Sequence, residues 1–263
     1  MNNILTIDLE DWYQTQALRS RIKVTDWDKK DDRLPLLTLE ILRVLRSAQV
    51  KATFFVVAYN AKRNLSLLKM ILKDGHELGL HGYYHTLVYK QTPEEFRKEM
   101  KYSKELIEDA CQTRVIGFRA PNWSINRNNL WALEILSELG FLYDSSLMVK
   151  LLTKHIRNIP IDMLEIPRST FSLLNFEIPF GGGVFFRAYP YFITKRFISD
   201  ANRNGKKVMV YIHPWEFDLD QHSDYSFGIR KVINNFNRSK MDLRFKSLLA
   251  DFKFSSVRDI FFD

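Results

Sequence analysis

His81 and His85 stand four residues apart in ELGLHGYYH, and Asp8, Glu10 and Asp11 crowd the end of the first apolar run in ILTIDLEDWY. Two imidazoles and one carboxylate make a three-ligand set for a divalent ion, with coordination positions left for water and substrate. Open positions separate a reactive site from a structural one. Taken alone, the HxxxH spacing also describes two partly buried histidines beside a turn, so its meaning depends on partners elsewhere in the chain. Cys111 is the only cysteine, which excludes intrachain disulfides and thiolate zinc clusters. Any transition metal must therefore use His and carboxylate ligands.

The elements that would position these groups alternate along the chain. Strand-like runs include NILTID, ATFFVV, VIGF and VMVYIH, and helical patterns lie between them. Apolar residues recur at helical spacing from Leu36 to Ala48. A capping box with proline at the first helical position opens a helix at Thr92, Pro93 and Glu95. Gly140 closes a helix over Asn129 to Leu139, Pro190 to Arg203 ends before Gly205, and a last helix covers Lys240 to Phe252. Repeated β-α units argue for an α/β fold with a mostly parallel sheet. Asp8, His81, Arg119 and His213 each follow a strand-like run, and the C-terminal strand ends form the active-site rim of such folds.

The stretches 148–186 and 222–237 read as loop excursions from one domain spanning residues 1–263. At this length a single α/β barrel is feasible. Hydrophobic residues at 46% and aromatics at 14% can fill a large core. The net charge of +8 is spread over scattered residues with no nucleic-acid motif, so no nucleic-acid partner is expected. No apolar run is long enough to span a bilayer, and stable membrane insertion is not expected. The start MNNILTIDLED has no basic n-region or cleavage site, which makes a cytoplasmic location the default expectation. Oligomeric state is not encoded in any feature here.

Together these segments resemble the polysaccharide deacetylase family, the NodB-type carbohydrate esterases. TIDLED is similar to the family's first acidic motif, HELGLHGYYH to its histidine motif, RAPNW at Arg119 to Trp123 to its arginine motif, and VYIHPWEF to its later strand ending in histidine. YDSS at Tyr143 to Ser146, GGGVFFR at Gly181 to Arg187 and HPWEFD resemble the members encoded beside bacterial exopolysaccharide and O-antigen genes. The resemblance implies a distorted (β/α) barrel that removes N-acetyl groups from an amino sugar of a surface polysaccharide or its precursor. It implies a divalent cofactor, with zinc first and nickel, cobalt or iron as alternatives.

Carried over residue by residue, the resemblance makes His81, His85 and either Asp11 or Glu10 the metal ligands. The usual adjacent acidic pair is replaced by Asp8, Glu10 and Asp11. Period-2 geometry favours Glu10 beside Asp8 if the strand continues, whereas motif order favours Asp11. Asp8 is the expected general base, His213 the general acid, Arg119 the partner of the catalytic aspartate and Asp144 the orienting partner of His213. Asn122 replaces the family tyrosine, and its backbone N–H is the expected oxyanion donor. Trp123, Trp215, Phe185 and Phe186 are candidates for stacking on sugar faces, and Gly181 to Gly183 for close backbone approach to the glycan. Two other readings compete: hydrolysis of a C–N bond in a small cyclic amide on the same fold, and a non-catalytic glycan-binding relative.

Overall fold

The computed structural model describes residues 1–147, 162–173, 176–220, 232 and 235–263. In chain order the strands are β1 (Asn2–Leu9), β2 (Thr53–Val56), β3 (Glu77–Leu80), β4 (Gly117–Phe118), β5 (Tyr143–Asp144), β6 (Leu164–Glu165), β7 (Thr170–Leu173), β8 (Phe176–Pro179), β9 (Met209–Ile212) and β10 (Lys253–Ser255). The residues group into two compact units, Met1–Thr53 with Asp74–Glu77 and Ser169–Asp263, and Phe54–Lys73 with Leu78–Arg168.

The first unit is built on β1. Every residue of β1 after Asn2 is buried, which is why its apolar residues do not alternate strictly with polar ones. β9 and β10 both pair with it in parallel, from Ile4↔Met209 to Ile7↔Ile212 and from Asn2↔Lys253 to Ile4↔Ser255. The register has a direct consequence for chemistry. Asp8 follows Ile7 and His213 follows Ile212, so both side chains emerge at the same end of paired strands. Helix Leu34–Ala48 buries Leu34, Leu37, Thr38, Ile41, Leu42 and Leu45, a stripe at spacings of three and four that fits one helical face.

Gly181 and Gly182 serve this packing, not an approach to glycan. A Cβ on Gly181 would lie 2.4 Å from the Met209 carbonyl oxygen, and one on Gly182 would lie 2.3 Å from that of Tyr211. The Tyr211 N–H donates to the Gly181 carbonyl at 2.9 Å. Only glycine lets the two backbones come this close. β7 and β8 form an antiparallel hairpin, with Phe171↔Ile178 in its register, inside a stretch whose sequence reads as loop. Leu174 and Asn175 between them carry no glycine signal for a tight turn. The excursion expected at 222–237 lies almost wholly outside the described residues.

The second unit runs β2-β3-β4-β5-β6. The His81 N–H donates to the Val56 carbonyl at 2.8 Å, and Leu80↔Phe118, Phe118↔Asp144 and Asp144↔Glu165 continue the parallel pairing. Helix Pro93–Cys111 opens on the expected capping box, with Thr92 and Glu95 bonded reciprocally. Gly117 is required by packing as well, because a Cβ there would overlap the Tyr143 ring.

His76 ties the start of β3 to the start of β2. Its Nδ1 accepts from the Ala52 N–H at 3.2 Å, which requires a neutral ring. Burial, reinforced by the Lys51 ammonium, lowers its pKa from 6.5 to about 4. The unfolded chain therefore takes up a proton below pH 6.5 that the folded chain refuses until pH 4, and stability falls across that window. Relative to a His76→Gln variant, the parent should lose up to about 3 kcal/mol as pH drops through it. Urea melts of both proteins at a series of pH values check this, and parallel pH dependences would refute it.

Candidate active site and metal ligands

The first unit gathers one imidazole and three carboxylates at the end of β1 and β9. His213 Nε2 lies 3.7 Å from Asp8 Oδ2 and 3.6 Å from Glu10 Oε1. Its Nδ1 lies 3.1 Å from Glu216 Oε2, which also accepts the His213 backbone N–H at 3.0 Å. The other Glu216 oxygen accepts from Arg187 Nε at 2.9 Å, and both partners of this ion pair are almost fully buried. Trp215 stacks on the His213 ring, 5.3 Å between centroids, and its indole N–H donates to Glu10 Oε1 at 3.1 Å. Burial alone would discharge His213. The charge and hydrogen bond of Glu216, joined by Glu10 and Asp8, outweigh it and raise its pKa to about 9. At neutral pH the ring is therefore an imidazolium, the form a general acid needs.

Asp11 takes a different part. Its Oδ1 accepts from the Trp12 N–H at 2.7 Å, and its Oδ2 accepts from the N–H groups of Arg33 at 3.0 Å and Leu34 at 3.2 Å. Gln14 completes a capping box with it. The carboxylate thus caps one turn and ties it to the start of helix Leu34–Ala48.

The second unit holds the histidine loop. His81 Nδ1 lies 2.7 Å from the Arg119 carbonyl. A carbonyl only accepts, so Nδ1 carries the proton and Nε2 keeps its lone pair for a metal, the tautomer a ligand histidine requires. Gly82 (φ 74°) and His85 (φ 55°) are both left-handed, and this double twist brings the two rings to 4.9 Å between centroids. Both histidines are buried.

Arg119 is fully buried, with Nη2 donating to Ser145 Oγ at 2.9 Å and its guanidinium 4.2 Å from the centre of the Phe55 ring. The loop it opens is strained. Asn122 and Trp123 are consecutive non-glycine residues at φ 54° and 50°, an arrangement that costs energy and recurs at functional sites. Ser146 holds this loop, since its Oγ accepts the Ala120 N–H at 2.7 Å and donates to Asp144 Oδ1 at 2.5 Å. Burial raises both the Asp144 and Glu165 carboxyls, Glu165 the more strongly because Asp144 stands beside it.

Several expectations change on this geometry. Asp144 is engaged with Ser146 and Glu165, and the carboxylate that orients His213 is Glu216. Glu216 and Arg187 are absent from the expected site, although Glu216 sits three residues after His213 at capping-box spacing. Phe186 is 0% exposed and Trp215 8%, so Phe186 is core and Trp215 packs on His213 instead of offering a face to sugar. Phe185 is half-buried and stacks on Tyr189. Trp123 is half-buried, with the Arg119 and Arg168 guanidinium groups 5.4 and 5.7 Å from its ring centre.

Residues 28–143 match the polysaccharide deacetylase family, and residues 149–262 match a domain of unknown function, DUF3473. A peptidoglycan-N-acetylglucosamine deacetylase of Bacillus cereus is 32% identical over 92 residues, 35% of this chain and 43% of its own length. The matched segment spans less than half the length of such curated relatives. A Mycobacterium smegmatis protein assigned to the polysaccharide deacetylases shares the fold over 99% of this chain and 90% of its own, with a TM-score of 0.62 at 19% identity. A CE4-family pseudoenzyme from Bacillus anthracis does so over 98% and 65%, with a TM-score of 0.53 at 15% identity. Residues 28–143 thus resemble the polysaccharide deacetylase family, and the chain shares the fold of these solved structures, a mostly parallel sheet flanked by helices.

Proposed function

We propose that this protein is a metal-dependent hydrolase that removes the N-acetyl group from an amino sugar of a bacterial surface polysaccharide or its precursor. The observation that carries the reading is the place of the His213 ring, between Glu216 on one side and Asp8 and Glu10 on the other. A strand-end acid beside a strand-end base is the pair amide hydrolysis needs. The proposed ligands are His81, His85 and Glu10. Two neutral imidazoles and a carboxylate suit zinc, and nickel, cobalt or iron could take the same set. When bound, such an ion would polarise the acetyl carbonyl and bring a water within reach of deprotonation at neutral pH.

The chain's own groups then divide the work. Asp8 accepts the proton of the attacking water. The Asn122 N–H, presented by the left-handed turn that Ser146 holds, donates to the developing oxyanion. His213 Nε2 delivers its proton to the departing sugar nitrogen, and Glu216 stabilises the ring while it is charged. Arg119 fixes His81 through its carbonyl and anchors the RAPNW loop through its side chain. The resemblance of YDSS, GGGVFFR and HPWEFD to members encoded beside such genes supports a role in exopolysaccharide or O-antigen synthesis.

Two sets of variants test the scheme. Asp8→Asn and His213→Ala should each lower acetate release from N-acetylated sugar oligomers by about 10²–10⁴-fold while the protein retains its metal. Parental rates in both would overturn the mechanism, and cleavage of a cyclic amide without acetate release would favour the competing hydrolase. The second set separates the two candidate carboxylates. Glu10→Gln should lose metal, measured by elemental analysis, with little change in melting temperature. Asp11→Asn should keep the metal but destabilise the fold by about 1–2 kcal/mol, the cost of weakening a buried cap. The reverse pattern would make Asp11 the ligand.

A further inference from the structure

We infer that Tyr59 and Tyr84 form a sugar-stacking subsite beside the histidine loop, which binds a pyranose ring neighbouring the one whose acetyl group is removed. The inference rests on the deacetylase reading, and it assigns that reading a polymeric or oligomeric substrate. Tyr84 lies between His81 and His85 in sequence and is 37% exposed. Its ring is 6.1 Å from that of the half-buried Tyr59, tilted by 42°.

The pair is held rigidly. The Tyr59 N–H donates to the Tyr83 carbonyl at 3.1 Å, and the Ala58 N–H to that of Gly82 at 2.9 Å. The Tyr83 N–H donates to Glu99 Oε1 at 3.0 Å, and Glu99 Oε2 accepts from Gln91. The left-handed residues Gly82 and His85 bracket the two tyrosines. This conformation turns Tyr83 into the core and leaves Tyr84 at the surface. The Tyr83 ring then supports the Tyr84 ring edge-on, 4.4 Å between centroids. On its far side Tyr83 contacts Tyr102, and the Lys62 ammonium sits 5.9 and 5.6 Å from these two rings.

An aromatic ring fixed at the surface exposes apolar area with no entropy left to lose on binding. Its negative face attracts the polarised C–H groups on the flat side of a pyranose, and the phenol hydroxyls can bond the sugar's edge. The same backbone turn that orients the His85 ring also places Tyr84, so the subsite is fixed relative to His81 and His85. With Phe186 and Trp215 buried, these tyrosines replace them as the stacking groups.

Kinetics and binding with an N-acetylglucosamine tetramer and its monomer test the assignment. In Tyr84→Ala and Tyr59→Ala the ratio of kcat/KM for tetramer over monomer should fall about fivefold to tenfold, while Tyr84→Phe keeps most of the parental ratio. Titration of the tetramer into full-length protein carrying Asp8→Asn, with and without Tyr84→Ala, should show a matching loss of affinity. An unchanged ratio and unchanged affinity in folded Tyr84→Ala would overturn the subsite while leaving acetate release, and with it the proposed reaction, in place. Tetramer affinity that depends on Tyr84 without any acetate release from the parent would support the subsite and overturn the reaction instead.

Discussion

A carboxylate removed from water must find charge or N–H donors, and the first unit meets this demand for four buried acids in one small region. Glu216 is matched by Arg187 and His213. Asp8 and Glu10 share the far side of the same imidazole, and Asp11 is satisfied by backbone N–H groups. One imidazolium thus lies within 4 Å of three carboxylates. Arg187 reduces the surplus of negative charge at one end, and a divalent cation held by Glu10 would reduce it at the other.

The second unit solves a different problem with similar means. Its histidine and arginine motifs sit on loops, and loops need fixing. Arg119 spends its carbonyl on His81 and its guanidinium on Ser145, so the histidine loop and the RAPNW loop share one anchor. Ser146 relays the buried Asp144 carboxyl to the Ala120 N–H, at the base of the strained pair Asn122 and Trp123. Left-handed conformations of non-glycine residues persist only where the surroundings over-determine them. Here the surroundings are identifiable hydrogen bonds.

Much of the fold was legible because its signals are local. The apolar runs of β1, β2 and β9, the Thr92 capping box and the stripe on helix Leu34–Ala48 each follow from a few neighbouring residues. The β7–β8 hairpin and β10 were not, since short strands without a glycine turn carry little periodicity. In the site, residues at strand ends were readable by position alone. The partner of His213 was not. Asp144 and Glu216 are both acids near a motif, and only three-dimensional packing distinguishes one bonded to Ser146 from one bonded to the imidazole. The glycine triplet misleads for a related reason, because sequence shows where a backbone must be bare but not what approaches it.

The contrast between Glu10 and Asp11 shows how a one-residue difference divides roles. β1 ends at Leu9, and the Glu10 N–H turns back to the Asp8 carbonyl at 2.9 Å. Strict strand alternation therefore stops there, yet Asp8 and Glu10 still reach the same His213 nitrogen. Asp11, one step later, enters the cap of the following turn, where three N–H groups surround its oxygens. To turn an oxygen toward a metal it would have to give up part of this cap, leaving buried donors unpaired at a cost of about 1–3 kcal/mol each. Glu10 has a longer side chain, and its Oε1 accepts the Trp215 indole N–H with His213 Nε2 3.6 Å away. The two neighbouring carboxylates thus differ in what each one holds, a backbone cap for Asp11 and the Trp215 indole for Glu10.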